Sequence, residues 1–223
     1  MINLNSMESD KIELMDQYFD SRVDVYDEIH QQTGISWGKQ IRDIVSEYIP
    51  TQKTKILDLG CGTGLELDEI FKKSPDSEVV CVDISKEMLK KLREKYHNYN
   101  IKTLNKNFFD LEFGFEEYDF VISVMALHHF FEKDKLLLYK KIYNSLKEKG
   151  VFINSDYIID DPSFELDRFE QLKKIQSEHP GELFHFDIPF TEERERNVLL
   201  NSGFSSIDKV YENKKTKILV NRK

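Results

Sequence analysis

The 223-residue sequence predicts an α/β fold, a mostly parallel sheet with helices on both faces. Three observations carry this. Short apolar runs alternate with amphipathic, helix-length stretches from Lys55 to Ile153. One run, Phe120–Val124, is apolar apart from Ser123, as suits a strand buried on both faces of a parallel sheet. Another, Lys55–Leu59, enters a glycine cluster and then a helix, the order of a βα unit.

Met15, Tyr18, Phe19, Arg22, Tyr26 and Ile29 share one face at helical spacing, so residues 11–30 read as one amphipathic helix. Gly34 and Gly38 flank Trp37 in a loop. Ile41, Ile44, Val45, Tyr48 and Ile49 form a second helical face that stops at Pro50. Lys55–Leu59 is the first strand, with a helix through Leu67, Ile70 and Phe71. Val79–Val82 is the second strand, with a helix through Met88, Leu89, Leu92 and Tyr96. Ile101–Leu104 is a weak third strand and Phe120–Val124 the fourth. Leu136, Tyr139, Tyr143 and Leu146 mark a helix ended by Gly150, and Val151–Ile153 opens a fifth strand.

The C-terminal part departs from this repeat. Leu166, Phe169, Leu172 and Ile175 suit one helix, and His179-Pro180-Gly181 breaks it. Thr191 with Glu192 and Glu193 reads as a capped helix start, and Gly203 as the stop. Ile207–Tyr211 and Thr216–Val220, joined by the polar turn Glu212–Lys215, form a hairpin that adds an antiparallel edge strand. The expectation is a single domain over 1–223. Its parts are an N-terminal helical cap (11–50), a ligand-binding core (55–155), a lid or insert (157–190) and a helix with the C-terminal hairpin (191–223).

Hydrophobic residues at 39% and aromatics at 12% suffice for a core. A formal charge of -9 and a pI near 5.3 give no general positive field for nucleic acid or anionic membrane, so neither is expected as a partner. Cys61 and Cys81 fall in runs that read as buried and suggest neither a disulfide framework nor a metal site; no metal is expected. Met1–Asp10 lacks the layout of a signal peptide, and no apolar run approaches the roughly 20 residues of a membrane span. A cytoplasmic protein is the expectation, with its oligomeric state left open.

The chemistry concentrates first in Ile56-Leu57-Asp58-Leu59-Gly60-Cys61-Gly62-Thr63-Gly64. Alternate glycines let backbone approach a ligand, and the following helix presents free N–H groups. The dinucleotide fingerprint places its third glycine one position later, where this chain has Leu65. A G-x-G-x-G turn preceded by Asp58 instead resembles the first motif of the class I S-adenosylmethionine-dependent methyltransferases of the small-molecule, Rossmann-like type. Val80-Cys81-Val82-Asp83 followed by Ser85 and Met88 matches that family's D-x-S-x-x-M pattern. Asn107-Phe108-Phe109-Asp110 is a looser match, and Ala126-Leu127-His128-His129 resembles a segment common in its small-molecule members. The resemblance spans residues 55–155 and leaves 160–190 uncovered.

The resemblance implies S-adenosylmethionine as methyl donor and a small-molecule acceptor. It places Asp58, Gly60, Gly62 and Gly64 at the donor, with Asp83 on the ribose hydroxyls and Ile84, Met88 and Met125 beside them. Asn107 and Phe108 would meet the adenine. Phe19–Asp27 resembles the family's cap segment, in which Tyr26 would shield the sulfonium and Arg22 would meet the donor carboxylate. Alternatives stand beside several of these: Asp83 as a helix cap, Met88 and Tyr26 as plain core. A proton acceptor is needed only if the methyl acceptor must lose a proton, and the candidates are His129 and the Asp156-Tyr157 pair. The chain lacks the acid-or-Asn–Pro–Pro–aromatic tetrapeptide of enzymes that methylate nucleic-acid and amide nitrogens. A non-catalytic donor-binding protein, or a methyltransferase acting on a macromolecule such as RNA, remains the alternative.

Overall fold

The parallel core forms in the order that the alternating pattern requires. In the computed structural model, which describes residues 12–32, 37–213 and 215–223, five strands run parallel. These are β1 (Lys55–Leu59), β2 (Glu78–Asp83), β3 (Ile101–Asn105), β4 (Tyr118–Val124) and β5 (Leu146–Ile159), in spatial order β3-β2-β1-β4-β5. The two-residue β6 (Phe190–Thr191) joins the far end of β5 in parallel. β7 (Ser206–Glu212) and β8 (Thr216–Arg222) make the expected hairpin, and β8 pairs antiparallel with β5. The expected helix start at residue 11, Gly34 and residue 214 of the hairpin turn lie outside the described residues.

Alternate side chains of the central strands feed two cores. Leu57, Leu59, Val80, Val82 and Val121 enter one cluster, while Ile56, Val79, Cys81 and Ile122 enter the other. Strand order reverses between β1 and β4, so the crevice beyond their C-terminal ends is where an open α/β sheet binds its ligand. The glycine turn follows β1 and the Ala126–His129 segment follows β4, which brings both to that crevice.

The helices depart from expectation in a few places. The N-terminal helix divides into α1 (Met15–Asp20) and α2 (Val23–Gln32). At the break the Ser21 hydroxyl donates to the Tyr18 carbonyl, and Ile29, assigned to the apolar face, is exposed. α3 (Trp37–Tyr48), α4 (Leu67–Lys73) and α5 (Lys86–Lys95) follow. After α6 (Glu132–Ser145), β5 begins at Leu146, five residues earlier than expected. Tyr118 opposes Leu146 and Phe120 opposes Val151, so residues 147–150 bulge from the ladder, with Lys149 at φ 64°. Gly150 lies within this bulge rather than ending the helix.

Residues 157–190 do not form one unit. β5 continues to Ile159, and Asp161 then caps α7 (Pro162–Glu178) by accepting from the Ser163 and Phe164 N–H groups. Phe169, Leu172 and Ile175 of α7 are buried as expected, whereas Leu166 stays exposed. Residues 183–188 then cross the N-terminal cap. Met15 N–H donates to Leu183 O, His185 N–H to Glu13 O and Ile188 N–H to His128 O. Thr191 caps α8 (Glu192–Asn201), its hydroxyl accepting from Arg194 N–H. Among the described residues no helix is long and apolar enough to cross a membrane.

Candidate active site

The three glycines after β1 all have positive φ, 70°, 52° and 74°, and their surroundings separate their roles. A Cβ on Gly60 would lie 2.4 Å from the Ala126 Cβ, so the turn after β1 packs directly against the segment after β4. A Cβ on Gly62 would meet nothing nearer than the Tyr26 ring at 4.0 Å. Gly62 therefore presents bare backbone to open space, the condition a ligand cradle needs. Gly64 turns away: Tyr96, Leu67 and Leu92 pack against it, and the Tyr96 hydroxyl donates to its carbonyl.

A cleft opens at this turn. Its walls bring together Gly60, Gly62, Asp83, Ile84, Met88, Asn107, Phe108 and Met125, with Tyr26 from α2 and His129 after β4. Met15, Phe19 and Leu183 close the outer side. Asp58, Gly64 and Arg22 are not on this wall. Asp58 is wholly buried on β1, and the Arg22 guanidinium binds the Glu13 carboxylate at 3.1 Å and stacks 3.7 Å above Tyr18.

Asp83 ties the turn together. Its Oδ2 accepts from Gly62 N–H and its Oδ1 from Ser85 N–H, both at 2.8 Å. The cap of α5 is Ser85, whose hydroxyl accepts from Met88 N–H. Burial pushes the Asp83 carboxyl up to about 6, although its bonds from Ser85 and Gly62 act the other way. Asn107 Oδ1 accepts from Phe109 N–H and so caps a single 3₁₀ turn, Phe108–Asp110. Burial, with Glu66 and Asp83 nearby, raises the Tyr26 phenol and keeps it protonated.

A second cavity adjoins the first across Gly60, Gly62, Tyr26 and Met125, and adds Thr63, Glu66 and Arg42. Of these three the sequence motifs include Thr63 alone, within the glycine turn. Arg42 carries no local signal, being one of several charged residues on α3. Glu66 is legible in retrospect as an acid at the helix entrance. Its Oε1 and both oxygens of Asp58 are buried without a hydrogen-bond partner among the described residues. Burial and the neighbouring Glu66 carboxyl push Asp58 well above the usual range, so the pair is suited to hold a proton or meet a cation.

The segment after β4 supplies the other wall. Met125 adopts φ 55°, rare for a side chain of its size, and is pinned by its N–H to Ser155 O at 2.7 Å. Leu127 is buried, and His128 and His129 follow it inward. His128 Nδ1 lies 2.6 Å from Asp156 Oδ1. Asp187 Oδ1 lies 3.3 Å from His129 Nδ1 and 3.5 Å from His128 Nε2. Burial opposes charge on both rings. For His128 the Asp156 and Asp187 carboxylates outweigh it and raise the ring to about 9. For His129 burial and the charge of His128 prevail, holding it well below the ordinary value and neutral. Asp156, one of the residues expected as a proton acceptor, is thus engaged with His128. Asp187 has no sequence signal, since only the crossing of 183–188 over the cap brings it here.

Residues 56–150 match the family model described as a methyltransferase domain. With the glycine turn, Asp83 and the Asn107-Phe108 turn on one wall, that match decides the family. Residues 56–150 form a class I S-adenosylmethionine-dependent methyltransferase domain. S-adenosylmethionine is accordingly its cofactor. Among curated relatives, a carboxy-S-adenosyl-L-methionine synthase of Campylobacter fetus subsp. fetus (strain 82-40) is 29% identical over 210 residues, 87% of this chain and 89% of that protein. Among solved structures, magnesium protoporphyrin IX methyltransferase from Synechocystis PCC 6803 with bound SAH has a TM-score of 0.67 at 19% identity, covering 93% of this chain and 97% of that one. Human N-acetylserotonin methyltransferase in complex with SAM gives 0.65 at 16%, covering 92% and 56%. These two show the fold of the methyltransferase family in the present chain.

Proposed function

We propose that this methyltransferase passes the donor methyl to a small-molecule acceptor by in-line displacement, with His129 as the nearest proton acceptor. The observation that supports this is the position of His129 on the donor cleft, neutral and beside Met125, while Met15 and Leu183 cover the outer side. A sulfonium methyl is already activated, so alignment of an electron pair and exclusion of water supply most of the acceleration. A neutral imidazole can take a proton from an acceptor that must lose one. In this reading Gly60, Gly62 and Asp83 hold the nucleoside, Asn107 and Phe108 border the adenine, and Tyr26 faces the sulfonium. Arg42, Thr63 and Glu66 in the adjoining cavity suit the donor's amino-acid end better than Arg22, which Glu13 already engages.

The relatives' name supplies a second reading, in which a carboxyl group released from a co-substrate replaces one hydrogen of the donor's own methyl group. Such a product needs a cation beside the sulfonium. Asp156 and Asp187 already balance the histidine corner, which leaves Lys106 on the cleft wall and Arg42 in the adjoining cavity as the cations this reading would use. Incubation with methyl-labelled donor and a cell extract, followed by separation into small molecules, RNA and protein, tests both. Methyl transfer yields S-adenosylhomocysteine and label in the small-molecule fraction. Label in RNA or protein would overturn the acceptor class. A donor whose mass rises by one carboxyl group, without S-adenosylhomocysteine, would establish the second reading.

A further inference from the structure

We propose that His128, His129 and Asp187 bind a divalent first-row transition-metal ion at the acceptor edge of the cleft. One ligand atom from each side chain falls within 4.8 Å of the other two. The Asp187 Oδ1 separations, 3.3 Å from His129 Nδ1 and 3.5 Å from His128 Nε2, are the decisive geometry. Ligands about 2.0–2.2 Å from a tetrahedral ion stand about 3.3–3.6 Å apart. Asp187 Oδ1 is buried, and the groups it faces are these two ring nitrogens, each at ion-pair distance and neither in a well-formed hydrogen bond.

The surroundings fit a metal as well as the ligands do. His128 reaches Asp156 through Nδ1, which fixes the ring and leaves Nε2 toward Asp187, where the ion would displace the proton that Nε2 carries. A carboxylate behind a histidine ligand is the usual support for such a site. Tyr157 N–H donates to the same Asp156 oxygen, and Lys135 Nζ lies 4.0 Å from the other. His129 Nδ1 would exchange its contact with the Phe186 carbonyl, 3.2 Å away, for the ion. Two histidines and one carboxylate leave coordination positions open, and His129 lies on the cleft wall. The open positions would take an acceptor oxygen or nitrogen and ease its deprotonation, in place of direct proton transfer to His129. That last step rests on the proposed methyl transfer; metal binding does not. The site departs from the sequence expectation of no metal, because Asp187 joins the histidines only through the folding of 183–188.

The test uses Co²⁺ titrated into the full chain after dialysis against a chelator, with and without S-adenosylhomocysteine. A single saturable Co²⁺ with the visible absorption of a low-coordinate nitrogen–oxygen site, displaced by Zn²⁺, is expected. Asp187→Asn should weaken Co²⁺ binding about tenfold or more. S-adenosylhomocysteine affinity of that variant should be unchanged, which shows that it is folded. His97→Asn, exposed just after α5 with its ring on the Glu94 carbonyl, should bind Co²⁺ as the parent does. Absence of saturable Co²⁺ binding, or equal affinity in the parent and Asp187→Asn, would overturn the site. Because donor binding and label transfer are read separately, failure here is distinguishable from failure of the methyl-transfer reading.

Discussion

The Gly62 N–H donates to Asp83 Oδ2 across 2.8 Å, joining the turn after β1 to the carboxylate that ends β2. Asp83 is therefore a brace for the cradle before any ligand arrives. Its Oδ1 also holds Ser85 N–H. Each carboxylate oxygen has capacity beyond one bond, so this bracing leaves room for ribose hydroxyls. Asp83→Ala should cost about 2–3 kcal/mol of S-adenosylhomocysteine affinity, the range for hydrogen bonds to a charged group. Calorimetry reads this directly, and a loss under about half a kcal/mol would leave Asp83 as a brace only.

The same carboxyl gives a pH dependence with two opposite signs. Burial raises it to about 6, so the folded state holds this proton more tightly than the unfolded state does. Its contribution to stability is therefore fully present below the unfolded value near 4 and is lost as pH rises through about 6. Donor binding runs the other way, since ribose hydroxyls donate best to the ionised group. S-adenosylhomocysteine affinity should fall as pH drops below about 6, approaching tenfold per unit. Affinity that is flat between about pH 7 and pH 5 would separate the ribose site from Asp83 ionisation.

Two glycines of one turn should fail differently. Gly62→Val places its branches toward the cleft in a left-handed conformation, so S-adenosylhomocysteine affinity should fall at least about tenfold while the chain stays folded, the backbone strain costing about 1–2 kcal/mol. Gly60→Ala drives a Cβ into Ala126 and should lower the unfolding midpoint by more. Undiminished affinity in a folded Gly62→Val variant would move the donor off this turn.

The fold was legible where local pattern and sheet period agree: all five parallel strands, the hairpin and the Thr191 cap are in the residues themselves. Boundaries were legible less often. The bulge at 147–150 depends on register against Tyr118 and Phe120, which no local window contains. Within the site, glycine and acid motifs mark the nucleoside side because backbone geometry restricts which residues serve there. The other side is assembled from contacts distant in sequence. His128 finds Asp156 and Asp187, and Arg42 reaches the glycine turn, through tertiary packing alone.

Behind Asp156 lies a buried network whose energetics can be measured. Lys135 Nζ donates to Glu195 Oε2 at 2.8 Å, the Tyr139 hydroxyl donates to Oε1, and Asn154 donates to Oε1 at 3.0 Å. Lys135 and Glu195 are wholly buried. Glu195→Ala leaves the ammonium without its nearest partner and should destabilise the fold by about 3–5 kcal/mol. Pairing Lys135→Met with Glu195→Leu should recover part of that loss, since an apolar pair avoids desolvation of the charges while Tyr139 and Asn154 still lose their acceptor. Denaturant unfolding checks both; a double variant no more stable than Glu195→Ala would assign the network a net stabilising role.

The crossing of the N-terminal cap by residues 183–188 should be the moving part of the cleft. Met15 and Leu183 cover its outer side, and the backbone bonds Met15 N–H to Leu183 O and His185 N–H to Glu13 O bridge the two strips of chain. These bonds cannot survive opening, which makes their amides its reporters. α7 differs, because Phe169, Leu172 and Ile175 anchor it in the core, and its Arg168 holds the Asp187 carbonyl at 2.8 Å as the fixed end. Lids come from the less stable parts of a structure, so hydrogen exchange at Met15 and His185 should be fast in the free enzyme. S-adenosylhomocysteine should slow them, while α7 and residues 120–124 stay slow throughout. Slow, ligand-insensitive exchange at both reporters would make 183–188 fixed scaffold, and the acceptor would then have to enter past Arg42 on the other side of the glycine turn.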